Sequence, residues 1–244
     1  MKTAKKLAEG ADGNSPPPIS RAEQAYRQIR LAILSFELRP GEVVSEGALA
    51  DRFDLKIASV RAALPRLRQE GLLINQQRGQ IVSPVTLQDI QQTYELRFLL
   101  EPAAAEKAVR RLDASVLREL DEQARAPTEP GDRASELQSI FANRDFHVSI
   151  AQNCGNEQLL KYIRELQDET IRFQYLLRQS EAGGIPWQHS HENIIAAFEE
   201  KSPQKAAEAM KEHIRLGRSH TLQAVMELPE FQQLPLGERS LRVV

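Results

Sequence analysis

The stretch Ile57-Ala58-Ser59-Val60-Arg61-Ala62-Ala63-Leu64-Pro65-Arg66-Leu67-Arg68-Gln69-Glu70-Gly71 runs into Leu72-Leu73-Ile74-Asn75, Gln76-Gln77-Arg78-Gly79 and Gln80-Ile81-Val82-Ser83. Val60, Ala63, Leu64 and Leu67 recur at the spacing that lines one side of a helix, and Gly71 stands where such a helix would end. Two short apolar strands follow, joined by a polar turn that contains glycine. A helix feeding directly into a β-hairpin narrows the fold considerably.

Upstream, Ser20 and Glu23 read as a capping box, after which Tyr26, Ile29, Ile33 and Leu34 recur at helical spacing until Arg39-Pro40-Gly41. Ser45 can cap a short second helix with Leu49, Ala50 and Phe53 turned inward, and Asp54-Leu55-Lys56 supplies the turn into the third, from about 57 to 70. Three helices and a hairpin make a winged helix-turn-helix over residues 19–84. Residues 1–18 have no apolar periodicity and end in Asn14-Ser15-Pro16-Pro17-Pro18, the composition of a flexible tail.

Pro84 marks a boundary, and Thr86 with Asp89 opens a second domain at 86–228, leaving 229–244 as a C-terminal tail. The periodicity predicts helices near 87–110, 114–125, 132–153, 157–180, 187–200 and 203–227, with a bend at Pro102. The fold class is therefore mainly α: a winged helix-turn-helix followed by an all-helical antiparallel bundle. Aromatic residues make up only 5% of the 244, which fits aliphatic helix packing better than a β-sandwich. A single cysteine, Cys154, excludes an intrachain disulfide framework. With no stretch of about 20 apolar residues and no signal-peptide pattern, the expectation is a soluble, cytoplasmic protein without a membrane partner.

The net charge of −2 gives no global sign of nucleic-acid binding, so any contact with DNA must be local. Lys56, Arg61, Arg66, Arg68 and, in the wing, Arg78 concentrate positive charge on the element that a helix-turn-helix lays in the major groove, with Ser59 and Gln69 as smaller polar candidates. Arg66 and Arg68 suit either DNA contact or a solvated helix face. Gly79 by its own chemistry suits an ordinary turn.

In the second domain Asn143 and His147, four residues apart, share a helix face, while His191 and His213 fall on two later helices. Such faces can converge inside a bundle, where three imidazoles and one side-chain oxygen would make an open metal site. Buried histidines with ordinary hydrogen-bond partners are the other reading. Arg97 could clamp the oxygens of a carboxylate bound there, or pair with Glu101 one turn on; Arg172 is a second candidate for the clamp.

Several motifs carry a family likeness. Leu38-Arg39-Pro40-Gly41, Ser45-Glu46, Leu49-Ala50, Val60-Arg61 with Ala63-Leu64 and Arg66-Leu67, and Glu70-Gly71-Leu72 resemble the winged-helix domain of the GntR family. Glu95-Leu96-Arg97, Leu100-Glu101-Pro102, Asn143 with Phe146-His147, Gly155-Asn156, His191 and Met210 with His213 resemble the effector domain of its FadR-like branch. The first resemblance implies that Arg61 contacts DNA and that Gly79 is the wing-tip glycine that lets backbone approach the minor groove, while Ile57 stands where the family usually has an arginine, so an operator sequence does not carry over. Ile57 either meets a thymine methyl or packs. The second implies a divalent metal, zinc or nickel, held by Asn143, His147, His191 and His213, with Asn143 where an aspartate is usual. Together they imply a homodimeric repressor that binds double-stranded operator DNA and releases it when a small organic acid occupies the metal site.

Two other functions compete. A metal with an open position could activate water, but the sequence has no nucleophile elbow, phosphate loop or His-Glu-x-x-His element, so an enzyme is not expected. A metal-free sensor would bind an acid or acyl thioester with the same histidines.

Overall fold

The computed structural model describes residues 19–76, 79–128, 132–178 and 191–227. The first unit comprises α1 (Arg21–Leu34), β1 (Val43–Val44), α2 (Glu46–Arg52), α3 (Ile57–Gln69), β2 (Leu73–Gln76) and β3 (Gly79–Val82). Ser20 and Ser45 cap α1 and α2 through their hydroxyl oxygens, which accept from the amides of Glu23 and Ala48. The Glu23 carboxylate does not complete a capping box; Arg27 and Arg66 hold it.

Helices α1 and α3 pack together through Ile29, Ile33, Val60, Leu64 and Leu67, all 3% exposed or less. Gly71 follows α3 at φ +72°, a left-handed turn that any Cβ would strain. The hairpin pairs antiparallel with Leu73 opposite Val82 and Gln76 opposite Gly79. A third strand, β1, pairs with β3 through Val43 and Ile81, giving the order β1-β3-β2. The sequence reading missed β1 because two residues are too few to show an alternation.

The second unit comprises α4 (Leu87–Ala108), α5 (Ala114–Ala124), α6 (Arg133–Gln152), α7 (Glu157–Arg178), α8 (Glu192–Glu199) and α9 (Pro203–Met226). The capping box expected at Thr86 is complete, with Asp89 answering the Thr86 amide. Helix α4 runs through Pro102 and lies along α9, while α6 packs between α5 and α7. Tyr94, Phe146, Phe173 and Phe198 fill the core of this unit. Among the described residues, no helix is long and apolar enough to cross a membrane.

The two units share a core. Ile140 of α6 with Ile171 and Tyr175 of α7 are buried in the same cluster as α1 and α3, and Phe36 meets Tyr175 edge-on at 5.7 Å.

One side chain closes the end of α3 onto α1. The Tyr26 hydroxyl lies 2.6 and 2.9 Å from the two carboxylate oxygens of Glu70, the residue that follows α3. Burial, and then the bond to Glu70, push the phenol up to about 12. An unfolded tyrosine ionises near 10, so the stabilisation is complete below that pH and is lost as pH rises toward 12. Tyr26→Phe should therefore cost about 1 kcal/mol in denaturant unfolding at pH 8, with the gap to wild type narrowing above pH 10.

Candidate functional site

Helix α6 presents Asn143 and His147 on one face, α8 begins immediately after His191, and α9 carries His213. One nitrogen from each histidine lies within 4.8 Å of the others. Ring centroids stand 5.4 Å apart for His147 and His191, 5.0 Å for His147 and His213, and 4.6 Å for His191 and His213. Phe146 stacks on the His191 ring at 3.9 Å.

Two carboxylates orient these rings. Asp121 Oδ1 lies 2.7 Å from His191 Nδ1, and because an ionised carboxylate only accepts, it fixes the ring proton on Nδ1 and leaves the Nε2 lone pair facing inward. Glu101 Oε2 approaches His147 Nδ1 at 2.6 Å, though off the direction of a good hydrogen bond. Burial lowers the pKa of both histidines, that of His147 to about 4, so both rings are neutral at physiological pH. The Nε2 atoms of His147 and His191 are buried with no hydrogen-bond partner among the described residues.

A neutral imidazole with an unshared, unsolvated nitrogen is costly to bury, and it is also the form that binds a metal. Metal–nitrogen bonds of about 2.1 Å would set neighbouring nitrogens roughly 3–3.4 Å apart, within reach of small ring rotations. The three rings therefore fit a nitrogen-preferring divalent ion such as zinc or nickel.

Beside the histidines lies a narrow cleft lined by Tyr94, Arg97, Asn143, Gln174, His213, Ile214 and Gly217. Arg97 is 3% exposed; its Nε donates to Glu101 Oε1 at 2.6 Å, and the guanidinium rests 4.9 Å from the Tyr94 ring centre. Gln167 adds a second donor to Glu101 Oε1 at 2.8 Å. Burial would raise the Glu101 carboxyl, but the charge of Arg97, joined by that of His147 once it protonates in acid, outweighs it and holds the pKa at about 2. The ion pair weighed as an alternative for Arg97 is thus present, and the residue also lines the cleft.

Arg172 does not reach this cleft. Its guanidinium turns the other way, with Nη2 donating to the Ser83 carbonyl between the two units and Nη1 3.2 Å from Glu169. Helical geometry explains it: Arg172 shares the face of α7 that carries Asp168 and Tyr175, not the one that carries Gln174.

On α3, Lys56, Ile57 and Arg61 are exposed. Ile57, at 50%, does not pack. Arg61 holds Glu46 in a surface ion pair at 2.8 Å, a contact worth little in water. Ser59 departs from the sequence reading. It falls one turn before Ala63 and two before Leu67 on the packed stripe and is 9% exposed. Arg66 folds back over the Tyr26 ring at 3.5 Å, between Glu23 and Glu70. Gly79 has φ +131°, which favours glycine at the start of β3, and Arg78 lies outside the described residues.

Sequence reasoning missed Asp121 altogether and saw Glu101 only as a partner for Arg97. Both stand on apolar stripes, Asp121 one turn after Leu117 and Glu101 one turn before Ala105. An acid on a buried stripe was the available signal.

Known proteins agree with this architecture. Residues 21–82 match the model for bacterial regulatory proteins of the gntR family, and residues 92–216 match the FCD domain. The HTH-type transcriptional regulator YdhC of Bacillus subtilis is 26% identical over 205 residues, covering 81% of this chain and 87% of the relative. The HTH-type transcriptional repressor RspR of Escherichia coli is 24% identical over 204 residues, covering 83% and 88%. The solved structure of E. coli McbR/YncC superposes with a TM-score of 0.71 at 23% identity, covering 84% of this chain and 98% of that one. The chain belongs to the GntR family with an FCD domain, and it is a DNA-binding transcription regulator rather than an enzyme.

Proposed function

We propose that this regulator senses a small organic acid at a divalent-metal site built by His147, His191, His213 and Asn143, and that acid binding releases it from operator DNA. The observation that carries the reading is the pair of buried, partnerless Nε2 atoms, on His147 and His191, facing His213. When bound, zinc or nickel would supply open coordination positions for a carboxylate. Asp121 and Glu101 orient the imidazoles, Asn143 offers a neutral oxygen from the same face as His147, and Arg97 brings positive charge to the cleft. A metal-free sensor would leave the two Nε2 atoms to accept hydrogen bonds from a hydroxyl or a protonated carboxyl of the acid. The name of the E. coli relative, a repressor, supports the sign of regulation.

For DNA, Lys56 and Arg61 are the cations on the exposed start of α3, with Gly79 and Arg78 in the wing. Arg61 can exchange its surface pairing with Glu46 for a phosphate or a base edge. Arg66 is half-exposed but held over Tyr26 between Glu23 and Glu70, and contributes to DNA affinity through α3's position. Ser59 packs in this reading, since its side chain is buried and its amide donates to the Lys56 carbonyl at 2.8 Å. Leu96, Phe98 and Leu99 on α4 are 41–61% exposed, an apolar surface suited to a homodimer that spaces two α3 helices about one DNA turn apart.

Elemental mass spectrometry of protein purified without chelator or tag should find about one equivalent of zinc or nickel per chain, lost in His147→Ala. No metal in wild type would favour the metal-free sensor. For the DNA surface, Arg61→Ala should weaken binding to a duplex selected from random sequence by about fivefold or more, with metal content unchanged. Undiminished affinity would remove Arg61 from the contact.

A further inference from the structure

Asp168 lies on α7, and its carboxylate is shared by two arginines from different parts of the fold. Arg144 of α6 donates from Nε to Oδ1 at 2.8 Å, and Arg30 of α1 donates from Nη2 to Oδ2. Arg30 also donates from Nε to Glu70 Oε2 at 3.2 Å, and Glu70 immediately follows α3. A continuous chain of charge-assisted bonds thus runs from α6 and α7 through Asp168, Arg30 and Glu70 to the end of the helix placed on DNA. The Asp168 side chain is 14% exposed, Arg144 20% and Arg30 22%, so solvent screens this chain only in part.

The same two helices border the histidine site, α6 supplying Asn143 and His147 and α7 part of the cleft beside them. On α7, Gln167 and Thr170 contact Glu101 and Arg97, and Gln174 lines the cleft, forming one stripe at i, i+3 and i+7. Asp168, Ile171, Arg172 and Tyr175 form the neighbouring stripe, and every one of them meets the winged-helix unit or the segment joining it. Helix α6 repeats the division. Leu137, Ile140 and Phe141 join the winged-helix core, while Asn143 and His147 face the site. Any rotation of α6 or α7 that tightens the histidines must move the stripe docked on α1 and α3, because packed helices move as rigid bodies.

We propose that Asp168 is the coupling residue between the two units: it locks α6 and α7 to Arg30, so that the arrangement of the histidine site and the position of α3 are set together. The proposal rests on the reading that the histidines bind the ligand, but its structural part is independent of metal. Coupling of this kind is reciprocal, so a change in the winged-helix unit must register at the site.

The test is amide hydrogen exchange on the full chain, comparing wild type with Arg30→Met and Asp168→Asn, and with Arg27→Met as a control on an exposed α1 arginine. Arg30→Met should speed exchange at least about threefold in 143–147 and 167–170, Asp168→Asn should do the same in 66–72, and Arg27→Met should do neither. Changes in Arg30→Met confined to α1 and α3 would overturn the coupling. Zinc titration supplies the second arm: Arg30→Met should weaken zinc binding several-fold, and an affinity within twofold of wild type would sever the link to the histidines. Should wild type take up no zinc, the metal reading fails while the exchange comparison still decides the coupling.

Discussion

The Arg97–Glu101 pair is the interaction around which the helical domain is arranged. A guanidinium and a carboxylate, 3% and 2% exposed, lie inside a bundle of apolar side chains, and burying either alone would cost several kcal/mol. Each must therefore be neutralised and hydrogen-bonded by whatever surrounds it. Glu101 draws Gln167 from α7 and lies against His147 from α6; Arg97 draws Thr170 from α7 and rests on Tyr94 one turn before it. Three helices are thereby held in one register by polar contacts rather than by apolar burial, which is tolerant of sliding. The histidine site sits where it does because His147 is one of the groups that this pair recruits.

Legibility in the sequence followed the strength of the periodic signal. The helices α3 to α7 and α9 were readable to within two residues at most ends, because long amphipathic stripes and cap residues agree with each other, whereas α1 stops at Leu34, short of the Arg39-Pro40-Gly41 that was expected to end it. The expected start of the 187–200 helix lies outside the described residues, and the described helix α8 runs Glu192–Glu199. The metal candidates were readable as residue types and in part by spacing, since Asn143 and His147 share a helix face, but the approach of His191 and His213 depends on packing between α8 and α9 that no local pattern encodes. The directions of the arginines were not readable either. Arg97, Arg172, Arg66 and Arg61 look alike in sequence, yet one lies in the core, one crosses to the segment between the units, one folds over a tyrosine and one faces solvent. Which carboxylate or carbonyl each meets is a property of the tertiary fold.

The DNA-binding unit shows why net charge was a poor guide. Glutamates accompany its arginines: Glu23 and Glu70 take Arg66, and Glu46 takes Arg61. Residues 19–84 nevertheless carry ten Lys and Arg against seven Asp and Glu, a formal +3 hidden within the chain's −2, and the cations at the exposed start of α3 stay close to the surface. Ion pairs so exposed are held by little free energy, so phosphate can displace the glutamate at small cost. Arg66 differs because the Tyr26 ring and two carboxylates hold it at once, and its exchange for DNA would disrupt the contact between α1 and α3.

Charge balance also bears on what the histidine site can hold. Arg97 neutralises Glu101, and Arg125, 2.9 Å from Asp121, neutralises the other carboxylate that orients a ring. The His147 and His191 imidazoles are neutral and so is Asn143. A divalent cation held among them would bring two charges into a low-dielectric interior with no uncompensated carboxylate to meet them, a position that is expensive unless an anion enters with it. An aspartate at position 143 would supply half of that compensation from the protein itself. With asparagine, the balance falls to the ligand, so metal and organic acid should favour each other's binding in this chain, and the acid becomes part of what makes the site stable rather than a visitor to a site already complete.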